Sequence, residues 1–274
     1  MPTSDTHWLR EIAVSQEAAA SAAAILLQGW GSRPEFRFKS SDTDLVTEFD
    51  GRAEAVIVRA LAGAFPDDAI LGEEGSGQTG RSGRTWHVDP LDGTTNFAHG
   101  LPIFGTSIGL VAEGEPVVGV VSAPAMGWIF HGARGLGAFL NDRPIHPSGV
   151  AELGLALLVT GFPYLRVEQN DNLPEFAAFM RASQGVRRLG SAALDLCFVA
   201  CGWLDGFWER HIKSWDLVAG AAIVTAAGGQ VSDPTGGPFL PETGCVLASN
   251  GRIHQAMRNE LVRVQVSPSA ASAP

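Results

Sequence analysis

The sequence predicts a layered α/β protein, and three features carry that prediction. The first half holds two helical segments followed by apolar stretches of strand length. The second half alternates strand and helix. No internal repeat and no long linker separates them, so residues 1–150 and 151–266 are expected to pack tightly as one domain, followed by a disordered tail, 267–274.

In chain order, "HWLREIAVSQEAAASAAAILLQGW" places Trp8, Leu9, Ile12, Ala19 and Ala23 at helical spacing, and its alanines support a helix ending near Gly29. "KSSDTDLV" reads as loop and short strand. "TEFDGRAEAVIVRALAGAF" is a second helix, with Thr47 and Asp50 spaced as a capping box and Pro66 ending it. "AILGEE" and "TWHVD" are short strands. "FGTSIGLVAEGEPVVGVVSAP" is two strands with a hairpin signal at "EGEP", and "GWIFHGARGLGAFLNDRPI" extends the sheet. "LALLVTGF" is a strand and "NLPEFAAFM" a helix. "GVRRLGSAALDLCFVACGWLDGFWE" reads strand, helix, strand. "SWDLVAGAAIVTAAGG" is a helix capped by Ser214 and ended by Gly228 and Gly229. "GQVSD" and "GCVLASN" are strands, and a last helix follows Gly251.

The 274 residues are 45% hydrophobic and carry a formal net charge of −10. That balance argues against nucleic-acid or anionic-membrane binding, because no field attracts a phosphate polymer. Small phosphorylated substrates stay open, provided cations reverse the local sign. Three cysteines make no disulfide framework and fit a reducing, cytoplasmic setting; Cys197 and Cys201 read as small core residues. No signal peptide opens the sequence, and no run of about 18 apolar residues would span a membrane.

The stretch "HVDPLDGTTNF" carries the chemistry. A strand delivers Asp89 at its end, Pro90 fixes a turn, and Asp92 follows. Gly93 permits an unusual backbone or a close ligand, and Thr94 and Thr95 sit where a helix begins, with free N–H groups suited to phosphate. Hard cations such as Mg²⁺ take carboxylate oxygens. Asp89, Asp92 and Glu73 can bridge two of them, Asp216 can add another oxygen, and paired cations activate water beside a phosphate. No Cys/His cluster has zinc spacing. Each acid also has a plain reading. Asp216 suits a helix N-terminus, Asp50 a cap, Glu73 and Glu74 a loop edge, and Asp89 with Asp92 a turn. Their joint occurrence at strand ends and helix starts, with Gly and Thr between them, favours one site.

Together, "GEEGSG", "DPLDGTTNF" and "WDLVAGAAIVTAAGG" resemble the inositol monophosphatase family of Mg²⁺-dependent, lithium-sensitive phosphatases. "KSSDTDLVTEFD" and "RRLGSAALDLCFVACGWLDGFWE" extend the resemblance over nearly the whole chain. It implies a five-layered αβαβα sugar-phosphatase fold and a homodimer. It also implies hydrolysis of inositol monophosphate by metal-activated attack of water, without a phosphoenzyme. Matched by motif, Glu73, Asp89 and the Leu91 carbonyl resemble a first Mg²⁺ site, and Asp89, Asp92 and Asp216 a second. Glu73 and water would hold a weaker third ion. Asp50, Glu73 and Thr94 form the implied catalytic set, Thr94 with Asp50 orienting the water. The amides of Gly93 and Thr94 resemble phosphate donors, Glu209 an inositol-hydroxyl ligand, and Ser191 and Ala192 further substrate-side positions.

Other readings are weaker. "GTSIG" matches a nucleophile elbow, but Ser107 falls inside an alternating strand. Histidinol phosphate is the alternative substrate, followed by fructose 1,6-bisphosphate, phosphoadenosine phosphate and NADP. A non-catalytic binding role is the remaining class. Arg187 and Arg188 read as a solvated or interface pair. His87, His99 and His211 read as structural or solvated, Lys39 as a surface charge, and Trp86, Trp203, Trp208 and Trp215 as core. Asp195 and the run His211-Ile212-Lys213 are departures at the pocket rim.

Overall fold

The computed structural model describes residues 8–32, 35–38, 45–163 and 172–266; Lys39 and the expected tail lie outside them. The chain opens with α1 (Leu9–Gly29), a hairpin of β1 (Phe36–Phe38) and β2 (Leu45–Thr47), and α2 (Glu48–Ala64). β3 (Ala69–Gly72), β4 (Gly77–Gln78), β5 (Thr85–Asp92) and the short α3 (Thr94–Ala98) follow. Next come β6 (Gly105–Ala112), β7 (Glu115–Ala123), β8 (Trp128–Ala133), β9 (Gly137–Leu140) and β10 (Arg143–Pro144). The second half runs β11 (Leu157–Thr160), α4 (Asn172–Ala182), β12 (Gly185–Arg187), α5 (Ala192–Ala200), β13 (Gly206–Arg210) and α6 (Ser214–Ala227). β14 (Gln230–Ser232), β15 (Cys245–Ser249) and α7 (His254–Val266) complete it.

Eight strands form one sheet in the order β10-β9-β8-β7-β6-β5-β3-β4, antiparallel except where β3 runs parallel to β5. Five form a second, β12-β11-β13-β15-β14, in which β11 is parallel to both neighbours. The β6–β7 turn is tight because Glu113 (φ 56°) and Gly114 (φ 79°) both take the left-handed conformation that matches strand twist.

Side-chain alternation along the strands sorts the interior into layers. On one face of the large sheet Ile108, Leu110, Val118 and Val120 pack with Leu26 of α1 and with Ile57 and Leu61 of α2. On the smaller sheet Val159, Phe207, Val246 and Ala248 meet α5 and α6, while Leu158, Trp208 and Leu247 face Phe179 of α4 and Met257 and Leu261 of α7. α5 and α6 thus lie between the sheets, which gives the expected five layers. A helix apolar on all sides needs such a place, and most residues of α6 are buried. α6 approaches the large sheet at two glycines: a Cβ on Gly119 would stand 2.1 Å from Ala219 O, and one on Gly109 2.5 Å from Ala219 N. No substituted residue fits at that spacing.

Three expectations need correction. Pro90 does not end β5; the strand continues to Asp92 with a shift of register. Ser214 is the first residue of α6 and does not cap it. Lys213 takes the cap position, and the Asp216 carboxylate accepts from Lys213 N–H at 3.1 Å. Trp86 and Trp208 are core, but Trp203 is 47% exposed, because it follows the end of α5 where the chain turns outward.

Candidate active site

Asp89 and Asp92 are three residues apart on one strand, a spacing that ordinarily puts side chains on opposite faces. The register shift reverses this. Asp89 pairs with Ser107 and Asp92 with Gly105, so three steps along β5 oppose two along β6. The extra residue brings both carboxylates to one side. Asp89 Oδ1 accepts Leu91 N–H at 2.8 Å, which fixes the bulge. Gly93 then takes φ 90°, and a Cβ there would meet Ile103 O at 2.9 Å, so glycine serves both conformation and space.

Asp216 comes from the first turn of α6. One oxygen each of Asp89, Asp92 and Asp216 lies within 4.8 Å of the other two. Glu73, in the loop after β3, is hydrogen-bonded to Asp89. That loop is held from beneath by Glu54 of α2, a fully buried carboxylate that accepts Glu74 N–H and Ser76 N–H, each at 2.8 Å.

Ten of the eleven candidate residues line one cavity of about 360 Å³, the exception being Asp50. Asp50 sits behind Thr94. Its Oδ2 accepts Thr47 N–H at 2.9 Å and the Thr47 hydroxyl at 2.6 Å, completing the expected capping box. Its Oδ1 faces Thr94 Oγ1 at 3.4 Å, and the Thr94 hydroxyl also donates to Leu91 O at 2.9 Å. Asp50 therefore both caps α2 and stands behind a residue of the cavity wall. Gly161, Trp215, His211 and Lys213 complete parts of the wall. Trp215 was expected in the core, but its place in the first turn of α6 puts it, half-buried, on the cavity. Gly161 had no sequence signal; a Cβ there would lie 2.2 Å from Glu209 Oε2, so the glycine makes room for that carboxylate.

Burial raises the proton affinity of these acids. Asp89 is pushed well up by burial, then by Glu73, Asp216 and Asp92. Asp216 is raised by burial, Asp92 and Glu73. Asp92 reaches about 6 through burial, held back by hydrogen bonds from Ser191 and Ala193. Glu209 reaches about 8 through burial and its acidic neighbours Asp216 and Asp92. Crowded buried carboxylates of this kind ionise together only when positive charge is supplied. The donors are all oxygen, which suits a hard divalent cation such as Mg²⁺.

The competing motifs are structural. Ser107 is fully buried within β6 and its hydroxyl donates to Trp215 O at 2.8 Å, so it is no elbow nucleophile. His87 pairs with the Ser214 hydroxyl at 2.9 Å, and burial lowers its pKa to about 4. His99, Arg187 and Arg188 are exposed, and Cys197 is buried in the core between the sheets.

Among relatives, the inositol-1-monophosphatase of Synechocystis sp. is 48% identical over 263 residues, covering 95% of this chain and 90% of that protein. The Nus factor SuhB of Pseudomonas aeruginosa is 41% identical over 252 residues, covering 89% of this chain and 93% of its own. The structure of inositol monophosphatase from Anabaena (Nostoc) sp. superposes with a TM-score of 0.83 at 43% identity, covering 94% and 97% of the two chains. The model of the inositol monophosphatase family matches residues 8–267, and the chain belongs to that family.

Proposed function

We propose that this chain is a Mg²⁺-dependent phosphomonoesterase that hydrolyses inositol monophosphate to inositol and phosphate. The observation that carries the reading is the convergence of Asp89, Asp92 and Asp216 within 4.8 Å on a cavity that also holds Glu73 and Glu209. Family membership and relatives named inositol-1-monophosphatase support the substrate.

Two Mg²⁺ ions held by Glu73, Asp89, the Leu91 carbonyl, Asp92 and Asp216, with a third held more weakly, would lower the pKa of water and neutralise phosphate charge. The chain's own groups do the rest. The Thr94 hydroxyl turns its proton from Leu91 O toward Asp50 Oδ1, which leaves its lone pair to orient the attacking water. Backbone N–H groups of Gly93 and Thr94 face the phosphate, Ser191 and Ala192 line the substrate side, and Glu209 accepts from a ring hydroxyl. Water attacks phosphorus in line, and no side chain is phosphorylated. We further propose a homodimer in the cytoplasm, which the three free cysteines suit. Residues 1–266 would unfold as one unit, since α5 and α6 serve both sheets. Among the described residues no helix is long and apolar enough to cross a membrane.

The test is phosphate release from inositol 1-phosphate, histidinol phosphate, fructose 1,6-bisphosphate and phosphoadenosine phosphate with Mg²⁺, with EDTA, and with added Li⁺. Preference for inositol 1-phosphate, lost in EDTA, is expected. Preference for another ester would move the substrate while keeping the chemistry. No turnover of any ester by the Mg²⁺-loaded protein would overturn the enzyme reading in favour of a binding role.

A further inference from the structure

We propose that Asp195 is a specificity-determining residue of this site: its carboxylate, on the cavity wall near Glu209, accepts hydrogen bonds from hydroxyls of the leaving group and so favours polyhydroxylated esters over plain ones. The proposal rests on the phosphatase reading above and deepens it.

Asp195 lies on α5, whose residues Ala192–Ala200 are all buried and otherwise apolar. It is 1% exposed, it lines the cavity, and its Oδ1 has no hydrogen-bond partner within the protein. Folding does not explain such a group. An unpaired buried carboxylate destabilises the chain that holds it, and an apolar residue like its neighbours Leu194 and Leu196 would serve the helix better. Oδ1 is shut off from solvent as it stands, and turning the carboxyl group toward the cavity it lines lets a donor on the ligand pair it.

The surroundings define that donor. Glu209, on the adjoining β13, reaches the same cavity over the bare backbone of Gly161. Burial, then Glu209 and Asp92, raises the hold of Asp195 on its proton; burial, then Asp216 and Asp92, does so for Glu209, and Arg188 acts oppositely on both. Two carboxyl groups lining one cavity therefore present several acceptor lone pairs, and no donor of their own when ionised. Adjacent hydroxyls on one ring meet this pattern. A cyclohexyl ring of the same size without hydroxyls would leave the acceptors unpaired, and such sites discriminate strongly against the missing group.

The experiment compares inositol 1-phosphate with cyclohexyl phosphate, and adds histidinol phosphate, for the wild-type chain, Asp195→Asn and Asp195→Leu, all with Mg²⁺. For Asp195→Leu, KM for inositol 1-phosphate is expected to rise about tenfold or more, kcat/KM for cyclohexyl phosphate to stay within about twofold, and Tm to hold or rise. Asp195→Asn keeps one acceptor oxygen and falls between; it carries the test alone should the leucine variant misfold. An unchanged ratio between the two esters would overturn the proposal. So would an equal fall for both with a lowered Tm, which marks a structural residue. Selective loss of histidinol phosphate would overturn it too, assigning the carboxylate to an ammonium group. A wild-type chain that turns over neither these three esters nor fructose 1,6-bisphosphate and phosphoadenosine phosphate removes the phosphatase reading itself. One that turns over inositol 1-phosphate and cyclohexyl phosphate equally well removes only the specificity proposal.

Discussion

The Ser191 hydroxyl donates to Asp92 Oδ2 at 2.7 Å across 99 residues of sequence. Ala193 N–H reaches the same oxygen at 2.8 Å. One oxygen of Asp92 is thus tied to the start of α5, and the carboxylate is locked in orientation toward the cavity. The bond also holds it ionised. Burial lifts Asp92 to about 6, and these hydrogen bonds keep it from going higher. Ser191→Ala should therefore raise the proton affinity further and move the acid limb of kcat/KM to higher pH. A charge-assisted hydrogen bond contributes about 1.5–3 kcal/mol, so a movement of about one to two pH units is expected. A pH profile in Mg²⁺ that superposes on wild type would contradict this role.

Stability should depend on pH in a direction opposite to that of most proteins. Asp92 at about 6 and Glu209 at about 8 lie above the values near 4 expected in the unfolded chain. Between those limits the folded protein keeps protons on these acids that the unfolded chain has lost, so their contribution to stability falls as pH rises from about 4 to about 8, against a smaller opposite contribution from His87 and His254, whose pKa burial lowers to about 4. EDTA-treated protein should melt at a lower temperature at pH 8 than at pH 5.5. Mg²⁺ at about a hundred times its Kd should restore about 2.7 kcal/mol at pH 8, or about 5–10 °C. A melting temperature independent of both pH and Mg²⁺ would count against the cation site.

Glu54→Gln should weaken cation binding without touching a ligand. Each oxygen of Glu54 holds one backbone N–H of the loop that carries Glu73. An amide offers one oxygen, so one buried N–H loses its acceptor. The expected cost is about 1–3 kcal/mol of stability, with looser placement of Glu73. Calorimetric titration with Mg²⁺ should show about tenfold weaker binding. Binding of wild-type strength would show that the loop holds its shape without Glu54.

Thr94 and Asp50 should separate chemistry from folding. Thr94→Ala removes the hydroxyl between Asp50 and the cavity and should lower kcat about 10²–10⁴-fold, while Thr94→Ser retains most activity. Asp50→Asn should lose activity and also about 0.5–2 kcal/mol of stability, because Oδ2 caps α2 through Thr47. Steady-state kinetics alongside thermal melts distinguish the two. An active Thr94→Ala protein would remove Thr94 from the mechanism.

Much of this site was legible because its parts are local. Asp89, Pro90, Asp92, Gly93 and Thr94 fall within six consecutive residues, and all but Pro90 line the one cavity. The bulge that turns both aspartates to one side was not legible, since Pro90 reads equally as a turn. Glu54 was missed although a signal existed: Asp50 and Glu54 are four residues apart in the buried stripe of α2 with Phe49, Ala53 and Ile57. Two acids on an apolar stripe mark a buried polar role. Gly161 and the Ser191–Asp92 bond depend on which strands become neighbours, and no single segment encodes that. Ser214 misled because a serine before a helix is a good cap. Here the backbone of Lys213 and the side chain of Asp216 close the turn instead, and the serine is left to meet His87.

The contact between Gly119 and Ala219 bears on ion size. Ala219 stands one helical turn beyond Asp216, and with no side chain between them the helix axis is set by backbone touching backbone. That contact, with the one between Gly109 and Ala219 N, helps set how far Asp216 stands from Asp89 and Asp92. Mg²⁺ takes oxygens at about 2.0–2.1 Å and Ca²⁺ at about 2.3–2.6 Å. A single methyl at position 119, on a strand that supplies no ligand, would lift α6 from the sheet and widen the oxygen cage. The proposed preference for Mg²⁺ would then rest on the two hydrogens of a glycine that the ion never touches.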